Sequence, residues 1–222
     1  MSAVDPIAPG AALLHFRLRE RASGSVWKAE DTRSGKQVAL KILARQLPRD
    51  AAKRETLIRE VRQGAALYHS FLVNIIEIAT AGDILLLVMD WIDGKTISAH
   101  VRGRPLDRTE FFRLAYQIVD AVKLLHAKNV IHGNIAGDSV MISSAGMARV
   151  GGLNLTNLMT RREGQASTFQ HKGNDARAVA YMTPEQISNQ PVNPQSDIFS
   201  LGLVLYEAAT GRLAYQASTA GE

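Results

Sequence analysis

From residue 15 to residue 90 the chain is built of short apolar-rich runs separated by turn residues. His15 to Glu30 reads as two strands joined by the small residues Ala22, Ser23, Gly24 and Ser25. Asp31 to Lys36 is a turn signal, and Gln37 to Leu43 predicts a third strand. Leu57, Ile58, Val61, Ala65 and Tyr68 recur at helical spacing and predict one amphipathic helix over 51–68. Val73–Ala79 and Ile84–Asp90 predict two more strands, joined through Ala81, Gly82 and Asp83. Beyond Leu106 the period lengthens. Phe111, Leu114, Ala115, Ile118, Val122 and Leu125 form one stripe of a helix, with Asp107 as its N-cap and Glu110 closing a capping box. Lys128 and Asn129 suit its C-terminal end. Val130–Ile131, Val140–Ile142 and Met147–Val150 are short β-rich runs, and residues 155–180 are polar and irregular. Tyr181 to Gln186 predicts a helical turn with Pro184 near its start. Asp197 to Thr210 predicts a helix that is apolar nearly all round, and so needs burial, with Gly211 as its C′ residue.

Composition narrows this without redirecting it. The chain has 222 residues, 46% hydrophobic and 21% charged, enough for one large domain or two small lobes. It has no cysteine, which excludes disulfides and cysteine-based metal sites. The N-terminus lacks a basic start followed by an apolar core, so no signal peptide is expected. The longest apolar runs, near Ile84–Met89 and Ile198–Tyr206, fall short of a membrane span, and the expected compartment is the cytoplasm. The net charge of +5 is scattered, with one short cluster at Arg161 and Arg162, so no nucleic-acid partner is expected. Strand-rich then helix-rich segments suggest a flexible lead over 1–14, a small lobe over 15–90 and a second lobe over 91–222.

The stretch Val130–Ile142 reads as strand, polar glycine-containing loop, strand, and carries His132, Asn134, Ala136 and Ser139. Val38-Ala39-Leu40-Lys41, Glu60, Thr183-Pro184-Glu185, and Asp197 with Ser200 and Gly202 stand around it in a fixed order. Together they resemble the eukaryotic-type (Hanks) Ser/Thr protein kinases, bacterial-like, from about residue 15 to 216. The resemblance implies an α+β bilobal protein-kinase-like fold, with an antiparallel β-sheet small lobe and a mainly helical large lobe lacking its last helices.

Carried over residue by residue, the resemblance puts Lys41 at the phosphate-binding lysine and Glu60 at its ion-pair partner. Gly24 and Val26 remain from the glycine-rich loop. Val26 and Ala39 fall above an adenine and Met141 below it, Met89 is the gatekeeper, and Asp90, Trp91 and Ile92 form the hinge. The same apolar residues would also serve as ordinary core. Arg19 and Arg21 replace the first two glycines of the loop; they either face solvent or, for Arg21, turn inward to supply positive charge.

The chemical positions depart from the family. Against H-R-D-L-K-P-x-N, Gly133 replaces the Arg, Asn134 the catalytic Asp, Ala136 the Lys, Gly137 the Pro and Ser139 the metal-binding Asn. Gly152, Leu153 and Asn154 stand for D-F-G, so the metal Asp is missing, and Asp138 lies one place away from Ser139. Losing a general base alone costs about 10²–10⁴-fold in rate. Gly133 removes the reader of an activation-loop phosphate, although Thr160, Ser167 and Thr168 offer hydroxyls there. Gly64 leaves out a bulky residue that the family places four residues after the helix Glu. No catalytic residue is expected, and Mg²⁺ is not expected. ATP binding stays open as weak and metal-independent. The expectation is a pseudokinase, a kinase-fold binding or regulatory module. The alternative is an active ATP-dependent Ser/Thr kinase using non-standard metal and base residues. The 197–210 helix is expected to need a protein partner, or the remainder of a longer chain, to cover it.

Overall fold

The computed structural model describes residues 7–44, 47–153 and 176–215. Asn154, Thr160, Arg161, Arg162, Ser167 and Thr168 lie outside them, as does the side chain of Glu60. The chain forms two compact units, one from residues up to 68 with Asn74–Trp91, the other from His69–Val73 with Ile92 onward.

The first unit is an antiparallel sheet ordered β1-β2-β3-β4-β6-β5. Its strands are β1 (Ala12–Leu13), β2 (Phe16–Ser23), β3 (Val26–Asp31), β4 (Gln37–Ala44), β5 (Ile75–Ala81) and β6 (Ile84–Asp90). Helix α1 (Ala51–Ala65) follows β4. Asp50 caps it, its side chain accepting from the Lys53 N–H. One face of the sheet gathers Leu18, Trp27, Ala29, Val38, Leu40, Ile42, Leu86 and Val88 into a core. Ile7 and Leu13 close over that core, each 5% exposed. Residues 7–14, expected in a flexible lead, are therefore fixed. Gly10 N–H donates to the Leu18 carbonyl, and β1 pairs with β2. Two prolines suggest a loose segment, but an isolated Ile and Leu carry no period from which docking could be read.

The second unit holds β7 (Gly94–Thr96), β8 (Val140–Ser143) and β9 (Ala148–Val150) in one sheet. Its helices are α2 (Ile97–Val101), α3 (Arg108–Ala127), α4 (Ala176–Val179), α5 (Pro184–Ile187) and α6 (Pro194–Thr210). The expected α3 stripe is the core face, with Leu114, Ile118, Val122 and Leu125 almost fully buried. Only half of its capping box forms. Asp107 accepts from the Glu110 N–H, whereas the Glu110 carboxylate turns to His100 at 3.1 Å. Helix α6 starts three residues before the expected Asp197, because Asn193 and Ser196 cap each other reciprocally around Pro194. The helix buries Leu201, Leu203, Val204 and Ala208 but leaves Ile198 and Tyr206 about half exposed, at 55% and 48%. Residues 71–73 join this unit because the Phe71 carbonyl accepts from the Val150 N–H and the Val73 N–H donates back to the Val150 carbonyl.

Candidate functional site

In the sheet unit the strand register decides which side chains share a face. Val26 lies opposite Lys41, Lys28 opposite Ala39, and Ala39 in turn opposite Met89. Trp27 and Leu40 belong to the buried core on the other face. Val26, Ala39, Lys41 and Met89 thus share the face that the core does not use. Lys41 as a whole residue is partly buried, and burial of its ammonium pulls the pKa below the ordinary lysine value. Among the described residues it makes no hydrogen bond or ion pair. Gly24 sits in the β2–β3 turn. Trp91 follows β6, with the Lys28 ammonium 4.9 Å from its ring centre. Arg19 pairs with Glu30. The Arg21 guanidinium lies 5.8 Å from the ring of Trp27, on the core face. The inward position considered for Arg21 is not the one it takes: its cross-strand partner on β3 is Trp27, which directs it away from Val26 and Lys41.

In the second unit the His132 loop is held from beneath by Asp197. One carboxylate oxygen accepts from the Gly133 N–H at 2.8 Å, and the other from the His132 N–H at 2.8 Å and from His126 Nε2 at 2.8 Å. Asp197 is 2% exposed, so these bonds form out of water, where charge-assisted bonds are strong. His132 is 1% exposed, with Nε2 2.9 Å from the Gly151 carbonyl and Nδ1 accepting from the Asn134 N–H. Gln186 donates to the Gly133 carbonyl at 3.1 Å, tying helix α5 to the loop. Thr183, the N-cap of α5, forms its capping box with the same Gln186.

The side chains at the chemical positions are engaged with one another. Asn134 Nδ2 donates to the Gly152 carbonyl at 3.4 Å. Ser139 Oγ accepts from the Ala136 N–H and donates to the Ala136 carbonyl, both at 2.9 Å. Gly152 has φ +77°, and a Cβ there would lie 3.3 Å from the Ser139 Cβ. Asp138 accepts from the Thr96 hydroxyl at 3.2 Å. Met141 is half-buried in β8, paired with Thr96 and Arg149. Among the described residues no group of three His, Asp or Glu side chains converges as a metal site. Among the described residues the groups at the Asn134, Ser139 and Gly152 positions supply no carboxylate, the ligand a divalent cation prefers.

A second polar centre was not foreseen. Glu207, 4% exposed, accepts from Tyr181 and from Ser98 at 3.1 Å on one oxygen, and from Arg177 at 2.7 Å on the other. Burial and the Glu207 carboxylate push the Tyr181 phenol well above its ordinary value. Gly137 lies against this cluster: a Cβ would come within 2.1 Å of the Ser98 hydroxyl and 2.6 Å of Glu207. The signal was there to read, since Glu207 is an acid deep within an otherwise apolar helix.

An antiparallel sheet unit with one long helix, followed by a helical unit whose buried Asp carries a His-containing loop, defines the protein-kinase-like bilobal fold. The protein kinase domain profile matches residues 20–222, and the chain belongs to that family. It is 28% identical over 195 residues to a probable serine/threonine-protein kinase of Clostridium acetobutylicum, which covers 87% of this chain and 29% of that protein. It is 27% identical over 197 residues to the serine/threonine-protein kinase PrkC of Bacillus subtilis, covering 88% of the chain and 30% of that protein. With the serine/threonine-protein kinase PkaA of Streptomyces coelicolor the identity is 28% over 211 residues, covering 94% and 38%. The chain thus spans well under half the length of these relatives.

Proposed function

We propose that this kinase-family chain is a pseudokinase, a binding or regulatory module that does not carry out efficient phosphoryl transfer. The observation that carries this reading is the closure of Asn134, Ser139 and Gly152 upon their own neighbours, with no carboxylate among them. Phosphoryl transfer relies on a base, a metal and a cation placed around the phosphates, and three of those positions hold groups that cannot act so. Retention of Val26, Ala39, Lys41 and Met89 on one sheet face supports residual, metal-independent ATP binding; in sequence, Glu60, Gly24, Trp91 and Met141 match further nucleotide-contact positions of the family. A cytoplasmic setting agrees with the absence of cysteine and with the finding that no described helix is long and apolar enough to cross a membrane. Ile198 and Tyr206 on helix α6 support a covering element, from a protein partner or from further chain of the kind its longer relatives possess.

The second reading, an active Ser/Thr kinase with rearranged groups, is favoured by Lys41 at the place of the family's phosphate-binding lysine and by Asp138 beside Ser139. A thermal-shift titration with ATP, with and without Mg²⁺, separates the two. A shift that ignores Mg²⁺ supports the module; a shift that requires Mg²⁺, together with radiolabel transfer abolished by Lys41→Ala, supports the enzyme and overturns the first reading.

A further inference from the structure

Helix α3 carries two apolar stripes, and within this chain's described residues one of them is buried. Leu114, Ile118, Val122 and Leu125 face the core. Phe112, Tyr116 and Val119, spaced four and three residues apart, lie along another face and are 60%, 67% and 43% exposed. Single exposed apolar residues are common, but three in line on one helix face form a patch of the kind that partners use.

The charges at its ends limit what can cover it. Arg108 precedes Phe112 by one turn, its guanidinium 6.0 Å from that ring, and Lys123 follows Val119 by one turn. Neither forms an ion pair among the described residues. The acids on or beside the helix are engaged elsewhere: Asp107 caps α3, Glu110 meets His100 and Arg113, and Asp120 lies 3.4 Å from His69. The stripe is therefore basic, apolar, then basic, over about 22 Å from Arg108 to Lys123.

We propose that this face of α3 docks an acidic amphipathic helix of a partner protein, with apolar anchors at helical spacing and a carboxylate beyond each end. Such a helix meets the apolar centre and both cations at once. A second copy of this chain fits poorly, because its stripe would set Arg108 and Lys123 against like charge in either orientation. Only three apolar side chains take part, so the contact belongs to the small, transient class of interface. The proposal stands apart from the question of phosphoryl transfer.

The test uses a fluorescein-labelled synthetic helix of about 15 residues, with leucines at i, i+4 and i+7 between glutamates, in an anisotropy titration against this chain. Binding that weakens about tenfold or more for the order-scrambled peptide and for the Phe112→Ala/Tyr116→Ala variant is expected. Lys123→Glu should weaken the acidic peptide and be rescued by a peptide carrying lysine at the facing end. Circular dichroism melts of the variants should match the parent, since both aromatic rings are exposed. Equal affinity for ordered and scrambled peptides overturns the proposal, as does no binding. Binding of phosphatidylserine vesicles without the peptide, or a dimer in ultracentrifugation that Tyr116→Ala dissolves, also overturns it, in favour of a membrane or a second copy.

Discussion

Asp197 offers the sharpest perturbation, because its carboxylate accepts from two buried backbone donors of the His132 loop. Asp197→Ala strands the His132 and Gly133 N–H groups, each now 2.8 Å from a carboxylate oxygen, and frees His126. An unsatisfied buried donor costs about 1–3 kcal/mol, and breaking a buried charged network costs about 3–5 kcal/mol in all. Asp197→Asn keeps one acceptor oxygen but turns an amide NH₂ toward the second donor, and a loss of about 2–3 kcal/mol is expected. In a chain of this size each kcal/mol moves Tm by about 2–4 °C, so the alanine variant should melt about 10 °C lower. Both tryptophans, Trp27 and Trp91, lie in the sheet unit, so indole fluorescence is the wrong probe. Urea titration followed by far-UV circular dichroism gives the overall loss, and hydrogen exchange at the His132 and Gly133 amides gives the local one. If Asp197→Ala costs under about 1 kcal/mol and both amides keep their protection, Asp197 does not hold the loop in the manner described.

Four further outcomes follow from the same geometry. Burial lowers the Lys41 pKa, so the unfolded chain holds that proton more tightly than the folded one. The resulting destabilisation is complete below the lowered value and is relieved as pH rises toward the ordinary lysine pKa; denaturation midpoints measured across alkaline pH should therefore rise, and Lys41→Met should flatten the rise. Gly152→Asp, which returns the family's metal carboxylate, meets a backbone at φ +77° and should destabilise by about 1–2 kcal/mol without yielding Mg²⁺ binding in calorimetry. Gly137→Ala drives a methyl into Ser98, Tyr181 and Glu207 and should cost about 1–3 kcal/mol. By contrast Gly202→Ala, mid-helix with open space beside it, should gain about 0.5–1 kcal/mol, a difference readable in paired urea titrations.

The elements with strong periods were legible. The Leu114 to Leu125 stripe on α3, the sheet strands and the Asp197 helix are written in local spacing, which a side chain's own position along the backbone dictates. Caps were partly legible: Asp107 takes the N-cap of α3 and Gly211 ends α6 as expected, while Glu110 leaves its box because a hydrogen bond with His100 of α2 competes for it, and the box of Thr183 with Gln186 was not read. The place of Ile7 and Leu13 was not legible, since docking of an irregular segment depends on a groove made by distant strands.

By itself, then, the order of residues determined the family, the alternation of strand and helix, and the loss of the family's acids at Asn134 and Gly152 and of its metal-binding amide at Ser139. Only the tertiary structure decided what those substitutes do. It turned Ser139 back on Ala136, set Asn134 on the Gly152 carbonyl, laid Arg21 against Trp27 and gathered Ser98, Arg177, Tyr181 and Glu207 from three separate stretches of chain. Identity at a position is a local property, whereas a hydrogen-bond partner is chosen among groups that only the folded backbone brings within 3 Å or so. The exposed stripe on α3 makes the same point: its spacing is local, but which of two apolar faces remains uncovered is settled by packing.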